Sequence, residues 1–193
     1  AAMITQNANG AVGFSGLGYL VALAPLGMAF FMMFRLHTMS TQGIQITFWV
    51  YAVLMGLSMF SIFLIYTQVS ILKTLFVTAG TFGLLSIFGY TTKRDLTSWG
   101  TFLFVGAIAI MIVSLVNAFL LKSGPLGMAL SALGVVIALG FTAYDTQKIK
   151  EIYYSVNHSA DGIARAAAMG ALNLYMDFVY LFINLLRFFG DRR

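Results

Sequence analysis

Long apolar runs alternate with short polar breaks along the whole chain. Six runs are long enough to cross a bilayer as α-helix, which takes about 20 residues: 12–34, 46–66, 71–90, 99–121, 125–147 and 163–189. The breaks contain Arg35 and His37, Gln68 to Ser70, Thr91 to Asp95, Lys122 to Gly124, and Lys148 to Asp161. All are short, which predicts antiparallel packing of consecutive helices. No Ser/Gly-rich linker or shift in composition divides them. The pattern predicts an all-α, polytopic membrane helical bundle, one domain over residues 1–193 with six helices. The opening AAMITQNANG lacks the basic start of a signal peptide and reads as a loop; with no initiator Met, earlier residues are expected to be missing.

Composition sharpens this picture. Hydrophobic residues make up 60% of the chain and charged residues 9%, against about 25% charged in a soluble domain. Water would not tolerate so much exposed apolar side chain, so the solvent must be lipid. The formal net charge is +5, yet the eleven Lys and Arg sit singly or in small groups between apolar runs. No basic face can be drawn, which argues against nucleic acid as a partner. Their distribution is that of topology signals. Arg35, Lys93, Arg94, Lys148, Lys150 and Arg165 fall on one side of alternate loops, and only Lys73 and Lys122 on the other. The first side should be cytoplasmic, with residue 1 outside. Arg187, Arg192 and Arg193 leave the tail cytoplasmic if the last helix re-enters and outside if it crosses.

Chemistry has few places to reside. There is no cysteine, so thiol nucleophiles and Cys-based metal sites are excluded. His37 and His158 stand alone without metal-ligand spacing. No phosphate loop, HExxH pair or nucleophile elbow occurs, and the expectation is that the protein is not an enzyme and holds no cofactor. The eleven Met and eighteen Phe read as packing and lipid-facing residues. No glycines are spaced as GxxxG, but Ala52/Gly56 and Ala166/Gly170 are small pairs suited to close helix packing.

Of the six acids, Asp95, Glu151, Asp161 and Asp191 fall in loops or at the tail, where solvation is expected. Asp177 falls mid-helix in LNLYMDFVYLFINLLRFFG. A charge at the bilayer centre costs about 2.5 kcal/mol or more, so such a residue must face a partner or water. Asn173, Asp177, Tyr180, Asn184 and Arg187 are separated by steps of 4, 3, 4 and 3. They form one polar stripe less than about 90° wide. Packing glue would need only Asn, whereas an ionisable group at its centre points to function. The preceding helix has a second stripe of Ser131, Gly134, Ala138, Thr142 and Asp145. Asp145 has two open readings: a hydrated helix-end carboxylate paired with Lys148, or a partner for Asp177.

If the two stripes meet, Asp145 and Asp177 cannot both ionise cheaply, and they titrate as a pair. Ionised, the pair attracts a cation that prefers oxygen ligands. Calcium takes six to eight oxygens at about 2.3–2.6 Å, so two Asp supplemented by carbonyls or water would give weak, transit binding. Arg35, ending the first run on the same side as Asp145, has two readings: a salt-bridge latch there or, favoured, a positive-inside anchor that snorkels to headgroups.

GFTAYDTQKIKE followed by MGALNLYMDFVYLFINLLRFFG resembles the C-terminal signature of the transmembrane Bax-inhibitor-motif family. GYTTKRDLTSWG and the apolar helices before it are similar to bacterial members. The resemblance covers essentially the whole chain. It implies seven helices with the C-terminal one central, so the family's first helix is absent among the six runs. It carries the family's pH-sensing aspartate pair onto Asp145 and Asp177, and its latching arginine onto Arg35. Some members have an acid in the second family helix, where LAPLGMAFF has none. What the resemblance implies is a pH-sensitive calcium leak channel in the bacterial inner membrane, or in the endoplasmic reticulum if the chain is eukaryotic. Its partners would be the lipid bilayer, calcium and protons. The alternatives are a regulator bound to a membrane protease and a proton-coupled transporter.

Overall fold

The computed structural model describes residues 4–6, 12–14, 16–35, 38–155 and 160–192, so His37 and His158 lie outside the described residues. Contacts group the chain into two compact units, residues 1–65 and 66–193.

The first unit opens with a small hairpin rather than a loop. Strand β1 (Ile4–Gln6) pairs antiparallel with β2 (Val12–Phe14), Thr5 opposite Gly13. This hairpin takes the start of the run expected to be helical from residue 12. Helix α1 (Gly16–Arg35) follows and packs on α2 (Thr41–Ser58). The Ser40 hydroxyl caps α2 by accepting from the Gly43 N–H at 3.2 Å. Met59 interrupts the helix, and α3 (Phe60–Ile65) completes a 25-residue span from Thr41 to Ile65. Among the described residues of this unit, Gly56 has open space around its Cα.

The second unit holds four long helices: α4 (Gln68–Thr91), α5 (Thr97–Val116), α6 (Gly124–Ser155) and α7 (Ala160–Phe189). Gln68 to Ser70, expected as a break, instead form the first turn of α4, because the Thr67 hydroxyl accepts from the Ser70 N–H at 3.3 Å. A π-helical turn, Asn117–Leu121, ends α5. Lys122 then turns the chain with a left-handed φ of 49°. The Asn117 side chain clasps the Ser123 backbone in both directions, at 2.9 and 3.0 Å. Pro125 lies in the first turn of α6, where its missing N–H costs nothing.

Helix α6 touches α4, α5 and α7, while α7 also packs on α4. Consecutive helices are therefore not all principal neighbours: α4 and α5 are joined by a short link, but each packs mainly on α6. Glycines make these approaches possible. A Cβ on Gly89 of α4 would overlap the Ala143 carbonyl, and one on Gly100 of α5 would overlap the Tyr144 ring. In α7, residues such as Leu172, Leu181 and Leu186 are fully buried, and Ala138, Leu181 and Leu185 form a core with Phe82 of α4 packed against it.

Among the described residues, five segments have the length and apolarity of membrane spans, beginning at Thr41, Gln68, Thr97, Gly124 and Ala160. The sixth expected span is represented by a shorter apolar stretch, Leu20–Met32, within α1. Large apolar side chains point outward: Phe76, Leu84, Phe102 and Leu120 are 71–76% exposed. Such a surface requires lipid. The chain is a polytopic helical membrane protein.

We expect Gly89→Val to lower stability by roughly 1–3 kcal/mol, because overpacking forces α4 away from α6. Gly83→Ala, on the same helix with open space around it, should leave stability equal or slightly higher. Unfolding in detergent micelles, followed by helical signal, compares the two.

Candidate functional site

Helices α6 and α7 pack along their length, and each contributes one acid to their interface. The carboxyl groups of Asp145 and Asp177 adjoin there within hydrogen-bonding reach. Asp177 is 8% exposed, and its Oδ2 is buried without a hydrogen-bond partner. Asp145 is half-buried, and Lys148, one turn on, is the cation whose charge reaches it. Neighbouring hydroxyls supply no donor to the pair, because they are already committed to their own helix. Thr142 Oγ1 donates to the Ala138 carbonyl at 2.9 Å, and Thr146 Oγ1 to the Thr142 carbonyl at 2.7 Å. With Thr142 and Thr146 committed, a proton, water or a cation is what can satisfy the buried Asp177 Oδ2.

The remaining stripe residues divide. Asn184 is buried against Gly134, where a Cβ would overlap its amide. Its Nδ2 donates to the Tyr180 carbonyl of its own helix at 2.8 Å. Asn173 and Tyr180 are half-buried, and Arg187 is exposed. Of the α6 stripe, Ser131, Gly134, Ala138 and Thr142 are buried. Ala166 and Gly170 of the other small pair are also buried, with Ile149 against Gly170. Arg35 ends α1 in the other unit with its side chain exposed, and its carbonyl accepts from the Thr38 hydroxyl at 2.9 Å.

Helix α6 continues beyond the apolar run 125–147, which changes the setting of Asp145. The helix runs to Ser155, so Asp145 lies within it and not at its terminus. Gln, Lys, Ile and Glu are good helix formers, and QKIKE continues the helix beyond the apolar run. The extension carries residues that the polar-break reading missed. Buried Gln147 clasps the α4–α5 link: its Oε1 accepts from the Leu96 N–H and its Nε2 donates to the Arg94 carbonyl, each at 2.8 Å. Lys150 Nζ donates to the Tyr90 carbonyl at 2.7 Å and lies 5.2 Å from the centre of the Tyr90 ring. A buried Gln two residues after an acid has no recognisable sequence signature; only the fold reveals its partners. Asp95 is solvent-exposed as expected but is also tied to α5, accepting from the Thr97 N–H at 2.8 Å. The Thr97 side chain, and after it that backbone bond, hold its carboxyl below the usual range.

Among the described residues no three His, Asp or Glu side chains gather where a metal could be caged. Two carboxyls supply only part of the roughly six to eight oxygens that a calcium ion takes.

Comparison with known proteins places these residues in a wider group. The family profile described as inhibitor of apoptosis-promoting Bax1 matches residues 1–193. The protein RP147 of Rickettsia prowazekii is 45% identical over 179 residues, covering 93% of this chain and 75% of that protein. The inner membrane protein YbhL of Escherichia coli is 42% identical over 183 residues, covering 93% of this chain and 78% of its own length.

Two outcomes follow from this geometry. Gln147→Leu should destabilise the α4–α5 link by about 1–3 kcal/mol, since it orphans a buried N–H and a carbonyl. Hydrogen exchange at the Leu96 amide should speed up accordingly. The Asp95 carboxyl, titrated by NMR, should show a midpoint below the 3.8 of a free side chain. Because its folded value is lowered, its contribution to stability is present above the unfolded value and disappears as pH falls through the folded one.

Proposed function

The chain belongs to the Bax inhibitor family, and we propose that it is a pH-sensitive calcium leak switched by the Asp145–Asp177 pair. It is a multi-pass protein of the bacterial inner-membrane type. The observation that supports the leak reading is the pair itself: two adjoining carboxyls on membrane-spanning helices, one with a buried oxygen that nothing satisfies. Structural packing gives no reason to keep an acid there when Asn would serve.

With a proton on the pair, the interface carries less charge and α6 and α7 stay together. Once the pair ionises, two negative charges face one another in a medium of low dielectric. Separation, water or a cation must then relieve the repulsion. Proton and cation compete for the same oxygens, so raising pH favours the cation-occupied form. Lys148 is the charged neighbour that modulates this competition from the basic end of α6. Calcium is bound only in passage, and no catalytic step is involved.

The test is calcium flux from liposomes containing the purified protein, measured against pH. Wild type should pass calcium down its gradient, unaided, at a rate that changes with pH. Asp177→Asn keeps the size and polarity of the side chain but cannot ionise, and should flatten that pH response while the helical signal is retained. A protein that passes nothing at any pH would be a regulator of another membrane protein, such as a protease. Flux that requires an imposed proton gradient would make it a transporter.

A further inference from the structure

Helix α4 carries a ridge of residues four apart: Ser70, Thr74, Thr78, Phe82 and Ser86. Ser70, Thr74 and Thr78 are buried polar side chains, and the Ser86 hydroxyl is buried without a hydrogen-bond partner. Phe82 alone breaks the polar series. Its ring meets Phe178 of α7 edge to face, 5.4 Å between centres, and it packs against the core of Ala138, Leu181 and Leu185.

The contacts fix the levels of these groups along the unit. Gly89 of α4 meets Ala143, two residues before Asp145, and Phe178 directly follows Asp177. Ser86, one turn from Phe82 toward Gly89, therefore lies on the same side of the Phe82 layer as the acid pair. One turn the other way is Thr78, followed by Thr74 and Ser70, and the Ser70 hydroxyl accepts from the Asp191 N–H at 2.9 Å at the opposite end. Along this face of α4 the order is polar, apolar, polar. Among the described residues, the two buried side-chain oxygens that lack partners, Asp177 Oδ2 and Ser86 Oγ, are on the acid-pair side. Unsatisfied buried oxygens clustered beside an apolar layer mark a place for water or a cation.

We propose that the layer of Phe82, Ala138, Leu181 and Leu185 is the closed gate of an ion path between α4, α6 and α7, and that the Phe82 ring is its plug. An apolar constriction blocks ions by excluding the water they need. Ala138 is small and fully buried, so Phe82 supplies most of the bulk that fills the α4 side. Separation of α6 from α7 at the ionised pair would remove the support behind the ring, at Phe178 and Leu181. The path would then be continuous from the pair through Thr78 to Ser70. This inference rests on the leak reading and adds to it the location of the barrier.

The experiment is calcium efflux from liposomes with full-length wild type, Phe82→Ala, Leu181→Ser and Phe82→Trp, each checked for helical signal and monodispersity. At the pH where wild-type flux is lowest, Phe82→Ala and Leu181→Ser should raise it about tenfold or more, because a wider or more polar constriction no longer excludes water. Phe82→Trp should lower flux at the pH where wild type is most active. Adding Phe82→Ala to Asp177→Asn should also leak, since an open gate needs no switch. If Phe82→Ala does not fold, Leu181→Ser and Phe82→Trp decide. Wild type that passes calcium with a pH response, alongside folded gate variants that behave like it, would overturn the gate alone. Wild type that passes no calcium at any pH would overturn the leak reading and the gate together.

Discussion

Two carboxyl groups pressed together between membrane helices govern the design of the second unit. Their charge has no inexpensive home in a bilayer, so the surrounding structure must bring them close, keep lipid away and leave something for protons to act on. The two longest helices, of 32 and 30 residues, bear them. Small residues on α6 let α7 approach, and Thr142 and Thr146 spend their hydroxyls on their own backbone instead of on the acids. What remains is an interface whose charge depends on protonation. In the proposed leak, the packing of α6 on α7 and the response to pH draw on the same contact.

The rest of the unit supports α6. Gly89 seats α4 on it, Gly100 seats α5 on it, and Leu103 fills the space beside Gly140. At the basic end, Gln147 and Lys150 tie the α4–α5 link to α6 immediately beyond Asp145. The acid pair thus lies between a fixed end, clasped by hydrogen bonds, and an apolar layer around Phe82 held only by packing. In the proposed leak, movement is concentrated on the side that can yield. Apolar contacts reform at little cost after a small displacement, whereas a buried Gln that loses two backbone partners does not.

Much of this was legible in the sequence, and for physical reasons. Lipid imposes a minimum length on apolar helices, so the five long apolar helices are legible in the sequence as helices. An acid amid Leu, Phe and Met identifies Asp177 without any structure, and periodicity puts Asn184 on the same face. Other features depend on information that periodicity lacks. The end of α6 was hidden because polarity was read as a break, while helical propensity carried QKIKE onward. The Thr67 cap moved the start of α4 into residues that looked like a loop. Gln147 and Ser86 are ordinary residues in sequence, and only their burial, one with partners and one without, sets them apart. The β1–β2 hairpin arises from backbone pairing between short segments too weakly patterned to announce strands.

The central claim is that Asp145 and Asp177 act as one titrating unit. Isotope-edited infrared spectroscopy of the protein in lipid, with aspartate carboxyls labelled, measures this directly. As pH rises, the band of the protonated carboxyl should vanish over the same interval in which calcium flux changes. Asp145→Asn should shift the titration of Asp177, because each group feels the other's charge. A carboxyl band that titrates in wild type as it does in Asp145→Asn, or that changes at a pH where flux does not, would contradict the account.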